Sequence, residues 1–302
     1  MTKEDITRRL LNNDALFNKV FVFQQSFDII PQSDSHIGAS IAYQDIRELR
    51  QEFLRDLVSS IVDWIYDATK YEALVERYRQ EGRSSGAAAA AVIQKAKDKF
   101  RKSTDALLIQ GQLGELLLFH FIQRFKKAVP LLRKMPITTS STHERFGADA
   151  IHYKIEDNKN IIILGEAKTY SSKYKFNEAF EDALISILES YSKLSSELNL
   201  YVHEDFLDSQ LNAVAEAYLS NRLENVKVEL VSIIVYHETK KVGITDEEDI
   251  KNQILNIISE RYREFDKQRI DITANPILNR ITYIVFPIWE LDEFAKAFQA
   301  SI

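Results

Sequence analysis

Between Asp149 and Lys168 the chain reads DAIHYKI, EDNK, NIIILGEAK: two apolar, β-branched runs on either side of a four-residue polar turn. Such runs, bounded by turn-forming residues, predict two strands joined as a hairpin. Asn177 then caps a helix that carries Phe180, Leu184, Ile187, Leu188, Tyr191, Leu194 and Leu198 at helical spacing. A second helix is expected over 209–222. Val226–His237 (VKVELVSIIVYH) becomes apolar on both faces, so it is a central strand with a layer on each side. Few architectures satisfy a hairpin, a helix and a doubly buried strand in that order. A mixed sheet with flanking helices does.

The rest of the chain extends this frame. Residues 19–30 read as a strand ended by Pro31. From Tyr43 to about Arg79, Ile46, Leu49, Phe53, Leu57, Ile61, Ile65 and Ala68 fall at spacings of three and four, predicting helix. EGRSSG, residues 81–86, breaks it, and the alanines at 87–91 start another helix to about Lys102. Ser103, Thr104 and Asp105 are candidate caps for a helix running to about Lys127, apolar almost all round and therefore buried. Arg133–Ser140 is a further candidate strand. Thr245-Asp-Glu-Glu248 opens a helix to about Phe265, and Arg280–Ile288 is a last strand before a short closing helix. The order from residue 105 is α-β-β-β-α-α-β-α-β-α. We therefore expect an α/β protein of α+β mixed-sheet type, with a mainly helical region over 1–104 and a sheet domain over 105–302. The helical region holds no cluster of catalytic residue types, so partner docking and core cover are its expected tasks.

The chain has no cysteine, which excludes disulfides, zinc-finger spacings and cysteine nucleophiles and suits a reducing cytosol. No signal peptide and no stretch of about 20 apolar residues is read, so a cytoplasmic protein without a membrane span is expected. The net charge of −6 runs against the basic footprint usual for nucleic-acid binders. Two basic stretches, 93–102 and 123–134, run against that balance. Taken alone, each reads as a solvated helix face.

The chemistry gathers at the hairpin. Side chains alternate along a strand, so Ile162, Leu164, Glu166 and Lys168 share a face that starts apolar and ends with a carboxylate beside an ammonium. Asp149 begins the preceding strand and meets Glu166 across the ladder. Two carboxylates side by side ionise comfortably only around a cation, and hard oxygen donors suit Mg²⁺ or Mn²⁺. Glu115 lies mid-helix among Leu113, Leu116, Leu117, Leu118 and Phe119, where an isolated carboxylate is costly. Gly111 and Gly114 leave room for another backbone to approach, which would bring Glu115 to the same cation. Two other Asp/Glu-x-Lys triplets, Asp157-Asn-Lys159 and Glu238-Thr-Lys240, lack this setting: the first falls in the turn, and the second has no acidic hairpin partner. The competing reading of Glu166 and Lys168 is a chance surface ion pair. Parity places His152 on the opposite strand face, as a structural residue. His120 reads as a hydrogen-bonded core residue, and His143 and Glu144 as loop side chains. No HExxH, Walker A loop or GxGxxG is present.

Glu115, Gly147-Ala-Asp149 and Gly165-Glu-Ala-Lys168 together resemble the signature of the PD-(D/E)xK nuclease superfamily, with Ala148 in place of its proline. The match spans roughly 105–240. Small residues before both acids and the long helical N-terminal half resemble, more narrowly, the HamA family of the Hachiman anti-phage defence system. This resemblance implies a restriction-endonuclease-like αβββαβ core. It implies a divalent metal held by Asp149, Glu166, the Ala167 carbonyl and Glu115, with Lys168 positioning or activating the attacking water. It also implies hydrolysis of DNA beside a HamB-like helicase, which would supply much of the DNA recognition. Tyr170, Lys173, Tyr174 and Lys175 follow the strand directly, where rings and ammonium groups could touch bases and phosphates. Two other readings stay open: a non-catalytic DNA-binding or helicase-regulating subunit on the same fold, and an RNase.

Overall fold

A computed structural model describes residues 2–99, 106–132, 147–170, 176–202, 209–243 and 245–302. The strands are β1 (Val20–Gln24), β2 (Ile37–Ile41), β3 (Tyr43–Gln44), β4 (Arg47–Glu48), β5 (Val129–Leu132), β6 (Ala150–Glu156), β7 (Lys159–Tyr170), β8 (Val226–Glu238) and β9 (Ile281–Trp289). The helices are α1 (Lys3–Arg9), α2 (Asp14–Phe17), α3 (Arg50–Ser59), α4 (Ile61–Ile65), α5 (Ala68–Gln80), α6 (Ser85–Lys97), α7 (Ala106–Phe121), α8 (Phe176–Tyr201), α9 (Ser209–Leu219), α10 (Glu247–Glu264) and α11 (Leu291–Ser301). From β6 onward the element order is the one expected, while the strand before it, β5, lies outside every segment read as strand. Among the described residues seven strands form one mixed sheet in the order β1-β2-β9-β8-β7-β6-β5. β5, β6 and β7 are antiparallel, whereas β7, β8, β9 and β2 run parallel.

The predicted hairpin is β6–β7, paired from Glu156↔Lys159 to Ala150↔Gly165. Its turn residues, Asp157 and Asn158, both have positive φ, at 50° and 58°. Asp and Asn tolerate that region, and two such residues match the twist of the flanking strands. β8 sits between β7 and β9 with Leu230–Tyr236 buried, as a run apolar on both faces required.

Two cores lie on the two faces of the sheet. Ile161, Ile163 and Ala167 of β7 pack with Leu113, Leu116, Leu117 and Leu118 of α7. Ile162 and Leu164 pack with Ala179, Phe180, Ala183 and Ile187 of α8. α7 presses close: a Cβ on Gly114 would lie 3.4 Å from the Ala167 Cβ, and one on Gly165 would lie 2.8 Å from the Ile122 Cδ1. Gly111, by contrast, faces open space. α7 continues as a π-helical turn over Ile122–Lys126 and stops at Lys127, whose φ is 52°.

Several elements depart from the sequence reading. The helix expected from Tyr43 to Arg79 is a small β3–β4 hairpin followed by α3, α4 and α5, with Asp67 capping α5 through the Lys70 N–H. β2 (IGASI) is short and carries Gly38 where α10 packs on it; a Cβ on Gly38 would lie 2.8 Å from the Ile258 Cγ2. Within the segment read as mainly helical, β1 and β2 join the main sheet through β9. β5 precedes the candidate strand 133–140, which lies outside the described residues, as do the candidate caps Ser103, Thr104 and Asp105. No helix among the described residues is long and apolar enough to cross a membrane.

Candidate active site

The site lies where the β6–β7 ladder stops. The last paired residues are Ala150 and Gly165, so Asp149 and Glu166 stand one step beyond them, opposite one another. The Asp149 carboxylate accepts the Ala167 backbone N–H at 2.9 Å. In an extended strand one residue's N–H and C=O point to the same edge. The Ala167 carbonyl therefore also faces this open edge.

Glu166 and Lys168 lie on the α8 face, since Gly165, Ala167 and Thr169 turn toward α7. Lys168 Nζ is 3.0 Å from Glu166 Oε1, with the glutamate side chain 6% exposed and the lysine 26%. Burial works against the Lys168 ammonium. The charge and hydrogen bond of Glu166, helped by Asp149 and Asp182, outweigh burial and hold its pKa above the ordinary lysine value. Lys168 is thus a fixed positive charge at neutral pH, suited to orienting an anion.

Asp149, Glu166 and Lys168 are brought together as expected. Glu115 is half-buried on α7, which covers the opposite face of β7 from Glu166. Among the described residues no group of three or more His, Asp or Glu side chains is gathered closely enough to hold a metal ion. The donors that fit a hard divalent cation are the Asp149 and Glu166 carboxylates with the Ala167 carbonyl beside them.

Tyr170 is half-buried, and its hydroxyl donates to Asp182 of α8. Burial and that carboxylate push the phenol well above its usual pKa. Lys173, Tyr174 and Lys175, and likewise His143 and Glu144, lie outside the described residues. His152 is fully buried against Phe119 of α7, their ring centroids 5.7 Å apart, on the face parity assigned it. His120 is fully buried between Asn13 and Ser60. The Ser60 hydroxyl donates to the Leu57 carbonyl, so it accepts from His120 Nε2, and Nδ1 accepts from Asn13. Both bonds need a neutral ring, and burial lowers its pKa to about 3. Glu238 of the second triplet is wholly occupied: Arg261 Nη2 donates at 2.8 Å, the N–H groups of Thr239 and Lys240 at 2.7 and 2.8 Å, and the Tyr236 hydroxyl at 3.0 Å.

Of the basic stretches, Lys97 donates to the Ser301 carbonyl at 2.8 Å, Arg124 pairs with Asp14 at 2.6 Å, and Lys126 lies 3.9 Å from Glu229. Two site neighbours escaped the sequence reading, Asp182 and Glu197. Glu197 carried a signal, a charged residue on the apolar stripe between Leu194 and Leu198. Asp182 carried none, because an exposed carboxylate on a solvated helix turn is ordinary.

These features define a mixed α/β protein with an acidic, lysine-bearing site at the open end of a central hairpin. The chain belongs to the HamA family, whose model matches residues 14–302. Membership of that family implies a role in Hachiman anti-phage defence. A search of curated proteins gives no match.

Proposed function

We propose that the chain is a metal-dependent DNA nuclease, the effector of its defence system, working in the cytoplasm with a HamB-like helicase. The observation that carries this reading is the grouping of Asp149, Glu166 and Lys168 at the end of β6–β7, with Asp149 tied to the Ala167 N–H. The element order α7-β5-β6-β7-α8-β8 supports a restriction-endonuclease-like core.

In this reading Asp149, Glu166 and the Ala167 carbonyl hold Mg²⁺ or Mn²⁺, which when bound lowers the pKa of water and offsets phosphoryl charge. Asp149 is aimed by the Ala167 N–H. Glu166 anchors Lys168, and the ammonium stands where negative charge grows on the phosphodiester. Glu115 would complete the set from α7, directly or through water. Tyr170 and the residues after it contact the DNA strand, and residues 1–104 meet the helicase.

The second reading, a DNA-binding or helicase-regulating subunit without catalysis, is favoured by the described residues' gathering no group of three or more metal-ligating side chains. Plasmid cleavage in Mg²⁺, with and without the helicase, tests both. Nuclease function predicts cleavage by the wild type and a loss of about 10²–10³-fold in Glu166→Ala and Lys168→Ala. Equal inertness of all three with the partner present overturns it.

A further inference from the structure

Glu197 lies near the end of α8, its side chain buried beside Leu194 and Leu198 in the core of that sheet face. A carboxylate there is costly unless hydrogen-bonded. It accepts the Ala148 N–H at 3.1 Å, a charge-assisted bond. Its carboxyl carbon would lie 2.6 Å from a Cβ on Gly147, whose φ of 145° also belongs to glycine. Gly147 is required there twice, by conformation and by space. Ala148 is itself buried, in the same core.

Two carboxylates therefore replace the next rung of the ladder. By register, Ala148 would pair with Ala167 after Ala150↔Gly165. Instead the Ala148 N–H goes to Glu197 and the Ala167 N–H goes to Asp149. We infer that Glu197 is a positioning residue: it holds the Gly147–Ala148 turn away from β7 so that the Asp149 carboxylate, and not the Ala148 backbone, occupies the Ala167 N–H. Without that hold the turn loosens, the Ala148 N–H loses its acceptor, and the Asp149 carboxylate is no longer fixed on the Ala167 N–H. Its effect on cleavage rests on the nuclease reading; its effect on the backbone does not.

The test compares Glu197→Ala and Glu197→Gln with the wild-type full chain. Amide exchange at Ala148 and Ala167 is followed by NMR, Mn²⁺ affinity by calorimetry and plasmid cleavage by initial rate, with thermal unfolding as a stability control. Glu197→Gln keeps an acceptor and stays within about threefold of wild type in all of them. Glu197→Ala speeds exchange at both amides selectively and weakens Mn²⁺ binding and cleavage by about 10–100-fold, the range for outer-shell partners. Should Glu197→Ala not fold, Glu197→Met, of similar volume and without the acceptor, takes its place. Unchanged exchange at Ala148 and Ala167 overturns the inference even if the wild type cleaves DNA. Faster exchange in the variant, beside a wild type that neither binds Mn²⁺ nor cleaves, upholds the positioning and overturns the nuclease reading.

Discussion

The Ala167 backbone N–H donates to the Asp149 carboxylate at 2.9 Å, joining residues 18 positions apart across the open end of the β6–β7 hairpin. The bond fixes one carboxylate oxygen and leaves the carboxylate beside the Glu166–Lys168 pair. Asp149→Asn keeps a side-chain oxygen for the Ala167 N–H but removes the charge. We expect it to fold with nearly wild-type thermal stability while initial rates of Mg²⁺-dependent plasmid nicking fall by about 10²–10³-fold. Wild-type nicking by this variant would remove Asp149 from the site.

Close approach of α7 to β7 depends on Gly114. A Cβ there would lie 2.5 Å from the Thr169 Oγ1, and larger side chains would force the helix off the sheet. Gly114→Leu should cost about 1–3 kcal/mol, read from urea unfolding. Gly111→Ala, facing open space, should be neutral or slightly stabilising through helix propensity.

Glu238 and Arg261 form a buried pair at the end of β8, the glutamate side chain 0% exposed and the arginine 17%. Removing one partner leaves the other uncompensated, so Glu238→Ala should lose about 3–5 kcal/mol. Burial raises the Glu238 pKa, but the Arg261 hydrogen bond and charge, with the Lys240 and Thr239 N–H groups, bring it below the ordinary glutamate value. A depressed folded-state pKa contributes stability present above the unfolded value and lost as pH falls through the folded one. The wild type should therefore lose this contribution below about pH 4.5, and Glu238→Ala should not show it. Denaturant melts between pH 3 and 6 compare the two.

His120 has the opposite charge type and the same direction of loss. Its pKa falls from 6.5 to about 3, so below pH 6.5 the unfolded chain binds a proton the folded chain refuses. Stability should fall as pH drops through that window, by up to about 1.4 kcal/mol per unit from this residue. His36, whose pKa burial also lowers, acts in the same sense, so the His120 share is the difference between wild type and His120→Gln. In an NMR titration the His120 ring signals should not move between pH 7 and 5.

The hairpin, its turn and the pairing of Asp149 with Glu166 were legible because a strand repeats every two residues. Alternation assigns the face, and Asp157-Asn158 fixes the register from the turn outward. Parity also separated His152 from Asp149, and the missing acidic partner set Glu238-Thr-Lys240 aside. β2 was not legible. IGASI lacks the bulky alternation of a strand, and at Gly38 α10 occupies the space a side chain would fill. The breaks at Ser60 and Asp67 were hidden in a helical periodicity that continues across them.

By itself, then, the sequence determined the buried helix α7, the element order from β6 onward, the central place of β8 and the acid–lysine end of β7. All of these follow from local periodicity and turn chemistry, which act within a few residues. Only the tertiary structure decided that α7 and Glu166 occupy opposite faces, that Asp182 stands by Lys168 and Tyr170, and that Glu197 reaches the Ala148 N–H from 49 residues away. Those contacts arise from how helices pack on a twisted sheet. Many sequences share one alternation pattern, and the packing of distant side chains selects which carboxylates meet.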